Sequence, residues 1–569
     1  MQAIANPFEV FHDKSGDPLD AGYVYIGTVN LNPETNPVTV YWDEDGTQPA
    51  EQPLRTLNGY IVRAGTPARV YVGADDFSMT CKEKNGVIIF YERSVTSSST
   101  LRQDLANDSD LTKGAALVGY SGRTAKAKLD DSVSVLDYPT LQAALDTGRS
   151  VHIPDNAAIT LTAEATYTAA NQIIFGKGSI QQTTAGQRVL VATSLDGVGL
   201  EGVTIKPAPS HTSNSGAGRN DAVQFTTCNR ARIEGVTFDW AGCTGAHNAL
   251  YLINCDDGKI VGNWFKSAPN TNGLYFVEGG ADICLQESCS RNLVSGNSCV
   301  SGNVYGINIT TSTAAGNTRD NIVSSNTVKD CTAYGIILYR GAGGVTADFA
   351  HNHIKNNTVE NITGGTLTID DGSSRWFGAG IYDQNSDHAV ISGNTVKNTC
   401  QQTNAGSLPM AGIASTSVTS TVTGNEVYTS GKPGYFFSAG NAASTYPAPT
   451  DSTLVFSGNK SFGSANEAFK IYNARRLLIS GNAGYASSSG AAMTIDTNGD
   501  WKTHVVMSGL LLDGVQSGLS INNATVASVQ NSHVLNSTST GVSVSNTDYL
   551  DIGGGSSVKS ITGNGLSIA

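Results

Sequence analysis

The chain has 569 residues, a formal net charge of -13 and only 15% charged residues, and the negative balance argues against nucleic acid or an anionic membrane as its partner surface. No apolar run reaches the roughly 18 residues of a membrane span. The start, M-Q-A-I-A-N-P-F-E, lacks the charged and apolar regions of a signal peptide, so a soluble protein folded in a reducing cytosol is expected.

The nine cysteines show no zinc spacing and read as small buried thiols. No cofactor and no metal site are expected. The pair His351 and His353 lacks identifiable further ligands and reads as surface polar residues.

Residues 1–95 form one region. Proline is frequent, and separate strands are expected at Tyr23–Ile26, Val38–Trp42, Arg69–Val72 and Val87–Tyr91, with D-E-D-G, L-N-G and K-N-G as turns. A compact all-β domain follows from that pattern. Its phrases G-Y-V-Y-I-G-T-V-N-L-N-P-E-T-N-P-V-T-V-Y-W-D-E-D-G, Q-P-L-R-T-L-N-G-Y-I-V and F-S-M-T-C-K-E-K-N-G occur in an order that resembles the head-binding domain of podovirus tailspike proteins. The resemblance implies a trimeric adaptor that docks to a phage head, tail or baseplate protein, and hence a place in the virion tail after assembly in the host cytoplasm.

Residues 96–135 read as a linker or neck. The phrase D-Y-P-T-L-Q-A-A-L-D-T-G then predicts a short helix, with Pro139 at its start, Leu141, Ala144 and Leu145 on one face and Gly148 at its end. Such a helix would cover the open end of a stack of repeats.

The body, residues 136–569, repeats. Early strands are expected at Ala158–Leu161, Gln172–Phe175, Val198–Ile205 and Arg232–Phe238. From Ile260 a phrase of apolar residue, small residue, Gly or a stand-in, and Asn ends at Asn263, Asn297, Asn326, Asn357, Asn394, Asn425, Asn459 and Asn482. Nine residues after Asn297, Asn326, Asn425, Asn459 and Asn482 stand Gly306, Gly335, Gly434, Ala468 and Ala491, each opening an apolar strand. Self-similarity at this period, in β-branched and aromatic residues bounded by Gly, Asn and Ser, predicts an all-β parallel β-helix. The Gly-Asn pair is expected to turn one strand into the next through a left-handed Asn.

Along the row opened by Gly306, Gly335, Gly380, Gly412, Gly434 and Ala468, with Asp282 as an earlier member, the first and third following residues point in and the second and fourth point out. The outward floor then includes Gln286, Asn308, Thr310, Ile337, Tyr339, Tyr382, Gln384, Phe436, Lys470, Tyr472 and Asp496. Insertions at 311–320, 341–350, 363–377, 401–410 and 438–452 flank it, making a groove whose aromatic faces suit sugar rings.

Glycoside hydrolysis needs two carboxyl groups about 5 to 9.5 Å apart. Glu287 and Asp383 lie three coils apart, roughly 14 Å at about 4.8 Å per coil, and cannot be partners. Asp383 falls at an inward position, where an unpaired charge is costly, so the strand is expected to turn and present it. The expected catalytic set is Asp383 with Asp371 or Asp370, and Arg340, Arg375, Trp376, Tyr339, Tyr382, Tyr472 and Lys470 contact substrate. D-D-G at 370–372 also reads as a plain turn. Glu278, Asp282 and Glu287 are the second choice.

The body resembles, in architecture, the right-handed parallel β-helix of phage tailspikes that degrade bacterial surface polysaccharide. That implies hydrolysis of capsule or O-antigen. The alternatives are a polysaccharide lyase, with Arg340, Lys470, Arg475 or Arg476 neutralising a uronate, and a fibre that binds glycan without cutting it. The period continues through Gly541 and Gly565, and no separate cap follows in this sequence. Residues from about 505 are therefore expected to pack three solenoids side by side as a homotrimer.

Overall fold

The computed structural model describes residues 9–74, 76–96, 104–107, 109–208, 221–241, 248–266, 280–300, 304–313, 316–341, 347–368, 374–401, 410–417, 419–438, 452–487, 490–496, 503–559, 561 and 566–568. The chain divides into two compact units, Met1–Asp131 and Ser132–Ala569.

In the first unit an antiparallel six-stranded sheet has the order Thr66–Pro67, Tyr60–Arg63, Leu54–Leu57, Tyr23–Thr28, Asp76–Lys82, Ile88–Thr96. Val40–Tyr41 pairs with Pro49–Ala50 and Tyr71–Val72 in a smaller sheet. Val24, Ile26, Val40, Leu54 and Cys81 form the core. Each expected strand is present, with its ends shifted, and five more separate them. The Gln52 carboxamide ties the fold by accepting from Ile26 N (2.6 Å) and donating to Ile26 O (2.9 Å) and Val38 O (2.6 Å).

The second unit is a parallel β-helix of three long sheets. Sheet 1 has 16 strands, from Ser132–Ser134 to Tyr549–Gly553; sheet 2 has 15, from Ala158–Leu161 to Ser557–Lys559; sheet 3 has 15, from Ala165–Thr166 to Leu566–Ile568. One coil runs through all three, as in Leu293–Ser295, Ser298–Val300 and Tyr305–Thr311. The helix Leu141–Leu145 is capped by Thr140, whose hydroxyl accepts from Ala143 N at 3.1 Å, so Pro139 lies outside it. Its Leu141, Ala144 and Leu145 join the solenoid core. The stretches 198–205 and 232–238 are each two strands, bent at Gly202 and Gly235 with φ of 74° and 63°.

The repeated phrase marks the corner between sheets 1 and 2. The left-handed residue there is the Gly, or its stand-ins Ser325 and Asn356, and not the following Asn. The Asn instead turns its side chain inward and is buried at each of the eight positions. Asn394 shows the pattern: its Nδ2 donates to Ile354 O (3.0 Å) and to Asn425 Oδ1 (2.9 Å), while its Oδ1 accepts from N (2.9 Å) and Nδ2 (3.0 Å) of Asn357. This ladder pairs polar groups that no water reaches.

The glycine row has a steric cause. A Cβ at Gly306, Gly335, Gly380 or Gly412 would collide with Cγ1 of Val328, Val359, Val396 or Val427, the inward valines of sheet 2. The constant nine-residue echo is the distance in chain from the Asn corner, across sheet 2, to that contact.

Candidate functional site

Sheet 3 carries the expected alternation. Ile307, Ile309, Ile336, Leu338 and Ile381 face the core. On its outer side the register runs Tyr251, Cys284, Asn308, Ile337, Tyr382, Ala414, Phe436, Lys470, Thr494, and beside it Ile253, Gln286, Thr310, Tyr339, Gln384. In chain order the expected insertions at 363–377 and 401–410 precede strands of this sheet and those at 311–320, 341–350 and 438–452 follow them, with 314–315, 342–346, 369–373, 402–409 and 439–451 outside the described residues.

The floor is not uniformly open. From Tyr251 to Ala414 its first row is covered, and apart from the buried Asn308 it forms a second apolar cluster with Tyr305, Tyr334 and Phe377. Tyr382 is 2% exposed, so it supports the wall and offers no face to a sugar. Phe377 stands edge-on to Tyr334, with centroids 5.9 Å apart, and ends the hairpin of Gly365–Thr368 with Ser374–Phe377. Burial of that ring anchors the hairpin on the floor. Asp370 and Asp371 fall in the connection between its strands and lie outside the described residues, as do Glu278 and the side chains of Arg375 and Trp376.

Asp383 departs from expectation. The strand does not turn: Asp383 stays in register between Leu338 and Ser415, facing the core and fully buried. Three hydroxyls replace water there, Ser386 on Oδ1, and Ser415 (3.0 Å) and Ser417 on Oδ2. Burial pushes its carboxyl pKa up against the hydrogen bonds of Ser386, Ser417 and Ser415, and Asp387 adds to the rise. A chain bound outside the solenoid does not touch this group. A cavity of about 10 Å³, room for one water, lies beside Ser415, Ser417 and Ser420 and reaches Ser438 and Tyr472.

Arg340 is likewise withdrawn. It is 6% exposed, and its Nη1 donates to Asp387 Oδ2 at 3.1 Å and to Ala347 O at 3.2 Å. It holds the insertion after its strand and offers no contact to substrate. Glu287, at φ 64°, clasps the insertion at 311–320 by accepting from Ser312 Oγ (2.7 Å) and Thr313 Oγ1 (2.6 Å). Burial works to raise its pKa, but those bonds outweigh it and hold the carboxyl below its ordinary value. Asp282 occupies the glycine row and is buried beside the thiols of Cys299 and Cys331.

The open part of the floor comes next along the axis. Tyr339 and Gln384 are half-buried, and above them Phe436, Lys470 and Tyr472 are partly exposed. The Phe436 and Tyr472 rings are 5.8 Å apart at 56°, and Lys470 Nζ lies 5.5 Å from the Tyr472 centroid. Lys470 also pairs with Glu467 Oε1 at 3.1 Å. Glu467 and Asp387 were not singled out in the sequence. Glu467 was readable, because it sits one residue before the row member Ala468 and three before Lys470. Asp387 was not, since it meets Arg340 from 47 residues away.

Among the described residues no group of three or more His, Cys, Asp or Glu is arranged to hold a metal ion. The strip pairs aromatic faces with a donor and an acceptor, which is the chemistry that holds a sugar ring.

The family model for a right-handed β-helix region matches residues 201–377. No curated protein matches the sequence. Among solved structures, the chain is similar to the tailspike protein of E. coli bacteriophage HK620 in complex with pentasaccharide, with 12% identity, 81% of this chain and 86% of that one covered, and a TM-score of 0.46. The catalytic domain of a GH87 alpha-1,3-glucanase in complex with tetrasaccharides matches at 11% identity, 95% and 90% coverage and TM-score 0.44. The Streptococcus pneumoniae surface protein and adhesin PfbA matches at 9%, 77% and 99% coverage and TM-score 0.36. The family model and the three parallel sheets make the second unit a right-handed parallel β-helix.

Proposed function

We propose that this chain is a tailspike-type protein that binds a bacterial surface polysaccharide, capsule or O-antigen, and depolymerises it by glycosidic hydrolysis. The observation that carries the reading is the half-open strip Phe436, Lys470, Tyr472 on the outer face of sheet 3. Tyr339 and Gln384 extend it downward. Residues 1–95 attach the protein to a phage particle as a homotrimer, in keeping with the resemblance of that segment to head-binding domains.

The catalytic carboxyls belong to the hairpin connection, Asp370 and Asp371, because Asp383 is enclosed. Substituting either by Asn lowers polysaccharide cleavage by about 10² to 10⁴ if it serves as acid or base. A second reading, a receptor-binding fibre without catalysis, is favoured by one fact: Glu287, Asp383, Asp387 and Glu467 are each already bonded. The lyase alternative draws less support, since Arg340 and Lys470 are paired and Arg476 points outward from sheet 1.

Product analysis separates the three. New reducing ends without an unsaturated uronate mean a hydrolase, an unsaturated product means a lyase, and bound but unshortened polymer means a fibre.

A further inference from the structure

Lys470 is the cation of the open strip, and its environment speaks to the kind of sugar the strip takes. Its side chain is 26% exposed and lies on the outward row between Phe436 below and Tyr472 beside it. An ammonium placed among aromatic rings is what a uronate or phosphate substituent would seek. Here the position is already taken by the carboxylate of Glu467, 14% exposed and three residues upstream.

The arrangement is held from more than one side. Glu467 packs toward Gly490 of the next coil, where an added Cβ would lie 3.8 Å from its carboxyl carbon. Burial acts to lower the Lys470 pKa, yet the charge and hydrogen bond of Glu467, with Tyr472, outweigh it, so the lysine keeps its proton. Arg340, buried at the end of a sheet 3 strand, is likewise paired with Asp387 at 3.1 Å. A net charge of -13 opposes approach of a polyanion from a distance. The neutralised pair still offers one donor and one acceptor group, which suits hydroxyls.

We infer that Glu467 sets the charge preference of the strip: by neutralising Lys470 between Phe436 and Tyr472 it selects an uncharged glycan over one bearing uronate or phosphate. The inference rests on the glycan-binding reading above and names its substrate class. Selection works by a built-in repulsive group as much as by attraction.

The test uses the full chain and polygalacturonate as the acidic probe, in affinity electrophoresis at low salt. Wild-type protein passes unretarded. Glu467→Gln, which frees the ammonium, binds polygalacturonate at least about fivefold more tightly, and salt near about 0.5 M or a second change, Lys470→Met, removes the gain. Glu467→Asp keeps the wild-type pattern, and Glu467→Ala replaces Glu467→Gln if the latter does not fold. Equal binding by wild type and Glu467→Gln overturns the inference. So does a panel of purified capsular and O-antigen polysaccharides in which the polymer that wild type shortens carries uronate or phosphate. A folded wild type that neither binds nor shortens any polymer in the panel removes the functional reading instead, while the polygalacturonate comparison still decides the role of Glu467.

Discussion

The coils from Asn263 to Asn482 and those after them share three sheets but not the same inner corner. In the first group each corner carries a buried Asn that reaches the Asn of the neighbouring coil, with Nδ2 to Oδ1 distances of 2.9 to 3.1 Å. In the second the row continues as Leu510, Ser532 and Ser556, where Leu510 N donates to Ser532 Oγ (3.3 Å) and Ser532 N to Ser556 Oγ (3.2 Å). One hydroxyl replaces a carboxamide that made several bonds. The expected insertions all leave from coils within the Asn group. A corner pinned by side chains keeps the coil in register whatever the number of residues that connect it on the far side.

The sharpest way to break this comparison is to remove one rung from each group. Asn394→Ala strands the amides of Asn357 and the carbonyl of Ile354, and it should cost roughly 4 kcal/mol. Ser532→Ala should cost only about 1 kcal/mol. Denaturant midpoints and unfolding rates of the two variants check the contrast, and equal losses would mean that the carboxamide ladder has no special role.

A smaller effect is expected on the floor. Phe436→Ala or Tyr472→Ala should weaken glycan binding roughly tenfold, since each removes an aromatic face. Tyr428→Ala, on the outer stack of sheet 2 where its ring lies 4.8 Å from Phe462, should leave binding unchanged. Isothermal titration with an oligosaccharide of the cleaved polymer tests both.

Asp383→Asn probes the interior. Its folded pKa is raised above the ordinary 3.8, so the folded state holds the proton more strongly than the unfolded one. Stability therefore falls as pH rises from that ordinary value through the folded pKa. The Asn variant should lose this slope, while cleavage at neutral pH stays close to wild type. Glu287→Gln has the opposite sign and the smallest effect. Its folded pKa lies below the ordinary 4.5, so its contribution is present above that value and is lost as pH falls through the folded pKa. Faster amide exchange at Ser312 and Thr313, with little change in global unfolding, is the expected result.

Much of the fold was readable because its causes are local. Alternation placed Ile336 and Leu338 inside and Ile337 and Tyr339 outside, and the structure agrees. The same count put Asp383 inside, and the error lay only in expecting the strand to bend. Its partners come from 3, 32 and 34 residues away, so no window around Asp383 shows that three serines would satisfy it. Tyr382 was misjudged for a similar reason, because the insertion that supplies Phe377 covers a floor that alternation alone leaves open. The left-handed corner residue was assigned one position late, since Gly and Asn both tolerate that conformation.

The sequence by itself determined the coil, the length of its period, the spacing of the Asn and glycine rows and the alternation of inward and outward strand residues, while the inward turn of the Asn side chains appeared only in the structure. These depend on a two-residue alternation and on collisions between neighbouring strands that recur at every turn. Only the tertiary structure decided which outward positions stay open and which charges are already matched. Arg340 with Asp387 and Phe377 over Tyr334 are contacts between coils and insertions of unequal length, and no periodicity encodes where such a loop comes to rest.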